Sequence, residues 1–109
     1  MKAGTLEVLN RLSETLAARR NADPSTSYTA SLFAKGPDAI LKKIGEETAE
    51  LIMAAKDGKR LPIVNEATDV VYHIMVLMAF FDMSVDDILQ EMHRREGISG
   101  IDEKRSRTA

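Results

Sequence analysis

Glu46-Glu47-Thr48-Ala49-Glu50 and, fifteen residues later, Glu66-Ala67-Thr68-Asp69 carry the reading of this chain. Each run lies in a segment of helical periodicity. Acids at i, i+1 and i+4, and then at i and i+3, become two acidic faces on helices joined by a turn at Asp57-Gly58-Lys59-Arg60. At about 100° per residue, Glu46, Glu47 and Glu50 span an arc of roughly 100°, while Glu66 and Asp69 stand roughly 60° apart. On the second helix the acids share a side with Val70, His73, Leu77 and Phe80, and on the first Glu47 borders the stripe Ile40, Ile44, Leu51, with Glu46 further round. Carboxylates on an apolar side are costly unless paired or metal-bound. Crowded carboxylates also repel one another until a cation relieves them. Oxygen-only ligation, with no cysteine and no Glu-x-x-His pair, favours a hard ion, magnesium with manganese as second choice, over zinc or di-iron. For Glu46-Glu47 alone, a solvated acidic helix is the competing reading.

At 109 residues the chain is read as one domain, 1–109, which buries only part of its surface as a monomer. With 15 basic and 17 acidic residues and a net charge of -2, it lacks a global basic field for nucleic acid or a membrane, so an anionic ligand must be held locally. The absence of cysteine rules out disulfides and thiolate chemistry. The N-terminus lacks the apolar stretch of a signal peptide, and the run Val70 to Phe81 is too short to span a bilayer. A soluble intracellular protein is expected.

Four helices are predicted. The first runs from Thr5, its cap, to Arg20, with a stripe of Val8, Leu9, Leu12 and Leu16. The second opens at Gly36-Pro37-Asp38 and ends near Asp57. Its internal Gly45 suggests a close approach to the backbone. The third runs from Pro62 to about Phe81 and is apolar nearly all round, a pattern that a dimer interface would explain. On it His73 either orients a carboxylate or water, or is a core histidine satisfied by a hydrogen bond. The fourth is capped by Ser84 with Asp87 at the third position, carries Val85, Ile88, Leu89 and Met92 on one face, and ends at Arg94-Arg95.

Between the first two helices, 21–36 reads as a long loop with a polar breaker run at 23–27, and such a length implies a task. Tyr28, Thr29, Ser31 and Lys35 there could hold a phosphate or ribose, or Leu32 and Phe33 could pin the loop while the hydroxyls make local turns. Lys42 and Lys43 either pair with Glu46 and Glu47 or face phosphates. The tail after Gly97 reads as mobile, with Ser99, Lys104, Arg105 and Arg107 as candidates for an anion lid. Together these features describe an all-α bundle with a metal site between its acidic helices, suited to hydrolysis of a phosphoanhydride by activated water.

Glu-Glu-x-x-Glu followed by Glu-x-x-Asp resembles the signature of the MazG-type all-α nucleotide pyrophosphohydrolases. Three further segments resemble the phosphoribosyl-ATP pyrophosphohydrolases of histidine biosynthesis: Ser27-Tyr28-Thr29-Ala30-Ser31-Leu32 to Lys35-Gly36; Glu66 through His73; and Arg94-Arg95-Glu96-Gly97-Ile98-Ser99-Gly100 to Glu103-Lys104. The resemblance spans essentially the whole chain. It implies a four-helix MazG-like bundle completed by homodimerisation. The implied activity is magnesium-dependent cleavage of 1-(5-phospho-β-D-ribosyl)-ATP to the AMP derivative and pyrophosphate in the cytoplasm. By position it makes Glu47, Glu50, Glu66 and Asp69 metal ligands, and Glu46 a further ligand or the base. Tyr28, Thr29, Ser31, Lys35, Lys42, Lys43, Lys104 and Arg107 become candidates for substrate contact. Arg105 departs from the small residue expected in the tail. The cyclohydrolase that acts next is an implied pathway partner. A broader nucleoside-triphosphate pyrophosphatase is the alternative within the superfamily, and a non-catalytic helical interaction module the alternative outside it.

Overall fold

The computed structural model describes residues 3–108, excepting the side chains at 3, 5, 6 and 108. Its described residues form helices without strands: α1 (Ala3–Arg19), α2 (Tyr28–Lys35), α3 (Pro37–Asp57), α4 (Arg60–Phe80), α5 (Val85–Arg94) and α6 (Gly100–Thr108). The all-α expectation holds, but there are six helices where four were predicted. The cap assigned to Thr5 lies outside the described side chains.

The first added helix lies inside the expected loop. Ser27 takes an extended conformation and its hydroxyl accepts from the Ala30 amide, which starts α2. Leu32 and Phe33 then enter the core. At the far end Gly36, at φ 95°, closes α2 and turns the chain into α3, whose first position is Pro37.

Helices α3 and α4 form the most extensive helix pair in the fold. Gly58 ends α3 in the left-handed region at φ 74°, its amide bonding back to Ala54 and Ala55, and the short turn sends α4 along α3. Helix α4 begins at Arg60, before Pro62; a proline within the first turn removes no intrahelical hydrogen bond. Around this pair, Leu16 of α1, Leu32 and Phe33 of α2, Ile40 of α3, Met75, Val76 and Ala79 of α4 and Val85 of α5 make one buried cluster. By length and composition α4 is a candidate to cross a membrane. Its buried residues His73, Met75, Val76 and Ala79 pack into the fold, and it also carries Glu66 and Asp69.

Helix α5 starts with the predicted box, in which the Asp87 side chain accepts from the Ser84 amide and Ser84 caps the helix in return. The second added helix, α6, corrects the mobile tail. Glu103 is 5% exposed although it sits in a charged segment. It is held by Arg94 at 2.7 Å and Arg107 at 3.0 Å, with Arg95 at 3.9 Å. The pairs with Arg94 and Arg95 tie α6 to the end of α5, the pair with Arg107 braces α6 internally, and together they replace the apolar stripe that α6 lacks. No neighbour comes within 4 Å of a Cβ placed on Gly45, so the close approach expected there is absent among the described residues.

Candidate metal and phosphate site

The pairing of α3 with α4 brings the two acidic faces together. One carboxylate oxygen each from Glu47, Glu66 and Asp69 lies within 4.8 Å of the others. Glu47 is 7% exposed, Glu66 is half-buried and Asp69 is exposed. The oxygens Glu47 Oε2 and Glu66 Oε2 are buried without a hydrogen-bond partner. A buried anionic oxygen with no donor is among the most costly groups a fold can hold. Three converging carboxylates, two of them with a buried oxygen whose lone pairs meet no donor, fit a hard divalent cation, which supplies the missing positive charge.

Glu50 borders the cluster, one turn after Glu47. Its carboxyl is raised above the ordinary value, first by a hydrogen bond shared with Glu66 and then by the charge of Glu47. Glu46 points elsewhere. It is exposed and pairs with Lys42 at 4.0 Å and Lys43 at 3.9 Å. Lys43 also reaches Glu47 Oε1 at 3.3 Å. Its ammonium is held above its usual range first by that carboxylate and next by Tyr28.

Beside this end of the cluster lies an open depression of about 330 Å³ lined by Tyr28, Leu32, Lys35, Ala39, Lys42, Lys43 and Glu46. Three lysines on one concave wall favour an anion, and Leu32 and Ala39 give it an apolar floor. Four of the candidate substrate residues therefore meet here: Tyr28, Lys35, Lys42 and Lys43.

The other four are placed elsewhere. Thr29 is buried and its hydroxyl bonds the Tyr72 hydroxyl. Ser31 donates to the Tyr28 carbonyl, as the reading of local turns had it. Arg107 is bound to Glu103 and Lys104 is exposed on α6; neither lines the depression.

His73 takes the second of its two expected roles. It is 5% exposed and bonded at both ring nitrogens, to Tyr28 and to the Asp69 carbonyl. The sequence signal for this was its position one turn after Asp69. Partial desolvation raises the Tyr28 phenol above its usual value, the Lys43 charge works against that rise, and the charge of Glu47 adds to it.

A family model described as phosphoribosyl-ATP pyrophosphohydrolase matches residues 9–96. Curated relatives named phosphoribosyl-ATP pyrophosphatase include one from Dechloromonas aromatica (strain RCB), 72% identical over 94% of this chain and 95% of the relative. Another, from Azoarcus sp. (strain BH72), is 61% identical with the same coverage. A third, from Aromatoleum aromaticum, is 59% identical, again over 94% of this chain.

Proposed function

The chain belongs to the phosphoribosyl-ATP pyrophosphohydrolase family, and from that premise we propose how its acidic helices serve the reaction. The enzyme is a hydrolase that converts 1-(5-phospho-β-D-ribosyl)-ATP to 1-(5-phospho-β-D-ribosyl)-AMP and pyrophosphate in histidine biosynthesis. The observation that carries the site assignment is the set of converging carboxylates of Glu47, Glu66 and Asp69, with two buried oxygens lacking any donor.

In this reading Glu47, Glu66 and Asp69 hold a divalent cation, with Glu50 joining from the rim. Magnesium is the first choice of ion and manganese the second, because every donor is a carboxylate oxygen. A cation bound there supplies charge against the phosphate chain and a more acidic water. Lys35, Lys42 and Lys43 take phosphate oxygens along the depression. Lys43, which reaches Glu47 Oε1, would be released toward the substrate by a cation held at that carboxylate. Glu46, on the same wall, receives the proton of the water that attacks phosphorus, and the phosphoanhydride bond breaks to release pyrophosphate.

Arg107 is paired with Glu103, and neither it nor Lys104 lines the lysine depression. The part of Arg107 is to hold Glu103 within α6.

An apolar groove of about 440 Å³ between α1 and α4 supports a homodimer. Exposed Val64 and Val71 line it beside Leu9, Leu12, Ile63 and Met75. A second copy covering this groove would bury the side of α4 that the single chain leaves in water. The reading places the dimer in the cytoplasm, with neither nucleic acid nor membrane as a partner, and the cyclohydrolase that consumes its product as the enzyme it would associate with.

Pyrophosphate release from phosphoribosyl-ATP, measured beside ATP and dCTP with magnesium and with EDTA, tests the assignment. Turnover of phosphoribosyl-ATP alone, abolished by EDTA and by Glu50→Gln, is expected. Full activity in EDTA would remove the metal from the account.

A further inference from the structure

Two adjacent residues at the start of α2 grip two adjacent residues of α4. Thr29 and Tyr72 bond hydroxyl to hydroxyl. Tyr28 Oη lies 3.1 Å from His73 Nε2. The His73 ring stands edge-on to both tyrosines, with ring centroids 6.1 Å and 5.4 Å away. Its other nitrogen, Nδ1, is 2.8 Å from the backbone carbonyl of Asp69.

A carbonyl oxygen only accepts, so in the neutral imidazole the hydrogen sits on Nδ1 and Nε2 is left as an acceptor. The hydrogen in the Tyr28–His73 bond must then be that of the phenol. With that hydrogen turned inward, the outer side of Oη carries only lone pairs.

This changes what Tyr28 can recognise. The residue is 54% exposed and lines the lysine depression. A phosphate oxygen is an acceptor and finds no hydrogen there, whereas Lys35, Lys42 and Lys43 on the same wall supply hydrogens in number. An O–H group fits Oη, and two kinds occur in this reaction: the sugar hydroxyls of the substrate and the attacking water.

We propose that Tyr28 offers its oxygen as a hydrogen-bond acceptor to an O–H group of the reactive complex, with His73 as the positioning residue that fixes this polarity through the Asp69 carbonyl. The inference rests on the proposed reaction for the identity of that group, and on the bonding at His73 for its direction.

The direction is read without turnover. Nitrogen-15 NMR of the whole protein, with His93→Gln to assign the two rings, is expected to show His73 as the Nδ1–H form with a bare Nε2. A ring protonated at Nε2 overturns the proposal. The recipient is read with Tyr28→Phe, which keeps the exposed ring and deletes the oxygen, assayed on phosphoribosyl-ATP and on its 2′-deoxyadenosine counterpart.

A loss of about tenfold in kcat/KM confined to the ribose substrate identifies the sugar hydroxyl. An equal loss on both keeps the acceptor role and assigns the O–H group to the water when the loss lies in kcat, and to another sugar hydroxyl when it lies in KM. Wild-type rates on both substrates overturn the proposal. His73→Phe frees the phenol hydrogen and should reproduce the division between kcat and KM seen for Tyr28→Phe, which simple loosening of the fold would not. If the wild type failed to cleave phosphoribosyl-ATP, the reaction would fall, while the tautomer measurement would still decide the polarity.

Discussion

Replacing Glu47 with glutamine should stabilise the metal-free protein and abolish its stabilisation by magnesium. The carboxylate oxygens of Glu47, Glu66 and Asp69 lie within 4.8 Å of one another. With an effective dielectric constant of about 20, each fully charged pair at that separation repels by about 3.5 kcal/mol. Neutralising Glu47 relieves two such pairs. Against this stands the ion pair with Lys43 at 3.3 Å, in which the lysine side chain is a third exposed, and such pairs contribute about 1 kcal/mol or less. Solvent already softens the repulsion, so a net gain of about 1–3 kcal/mol is expected, or a melting temperature at least about 4 °C above that of the wild type in EDTA.

Magnesium at a hundred times its Kd should raise wild-type stability by about 2.7 kcal/mol, because it binds only the folded arrangement. Glu47→Gln, which lacks one of the three charges, should respond little. Thermal melts by circular dichroism at one protein concentration, in EDTA and in millimolar magnesium, provide the comparison. A variant that melts below the wild type in EDTA, yet keeps the full magnesium shift, would refute the account of a strained acidic cluster.

Further expectations concern the fold and its last helix. Ile40 is fully buried in the central cluster, and Ile40→Ala should lower stability by about 2–5 kcal/mol in urea unfolding, as cavities in packed cores do. Ser84→Ala removes one half of the capping box of α5 and should cost about 0.5–2 kcal/mol in the same assay. Arg94 and Arg95 hold the Glu91 carboxyl down to about 2, and Arg94 and Arg107 hold that of Glu103 below its ordinary value. A lowered acid stabilises the folded arrangement above its unfolded value near 4.5 and ceases to do so as the pH falls through the folded value. Amide protection of α6 should therefore persist at neutral pH and fade as the pH falls below about 4.5 through the lowered value of Glu103; protection unchanged once the carboxylates are protonated would show that other contacts hold α6.

The elements read correctly from the sequence are those whose ends carry strong local chemistry. Pro37 suits the first turn of a helix, Gly58 takes a left-handed φ and Ser84 caps with its hydroxyl, and α3, α4 and α5 begin or end within two residues of them. The acidic spacing placed Glu47, Glu66 and Asp69 together because α3 and α4 are joined by a turn too short to let them pack anywhere but on each other.

Helices α2 and α6 were missed for opposite reasons. In α2 the breaker run 23–27 masked a cap, and eight residues are too few to show periodicity. Ser27 followed by Leu32 and Phe33 was the available signal. Helix α6 has no apolar face to display a period, and it is held instead by Glu103 reaching back to Arg94 and forward to Arg107. An acid at i with an arginine at i+4 was its local trace. Glu46 matches its neighbours in composition, but the helix phase turns it toward Lys42 and Lys43, and periodicity alone could not decide between pairing and ligation.

The central claim is that the carboxylates joining α3 to α4 hold the cation on which pyrophosphate release depends. It is tested most directly by the magnesium dependence of pyrophosphate release from phosphoribosyl-ATP, for the wild type and for Glu66→Gln. The account predicts that the variant needs at least about tenfold more magnesium for half its maximal rate, or loses the reaction altogether. A magnesium curve for Glu66→Gln that overlays the wild type would contradict it.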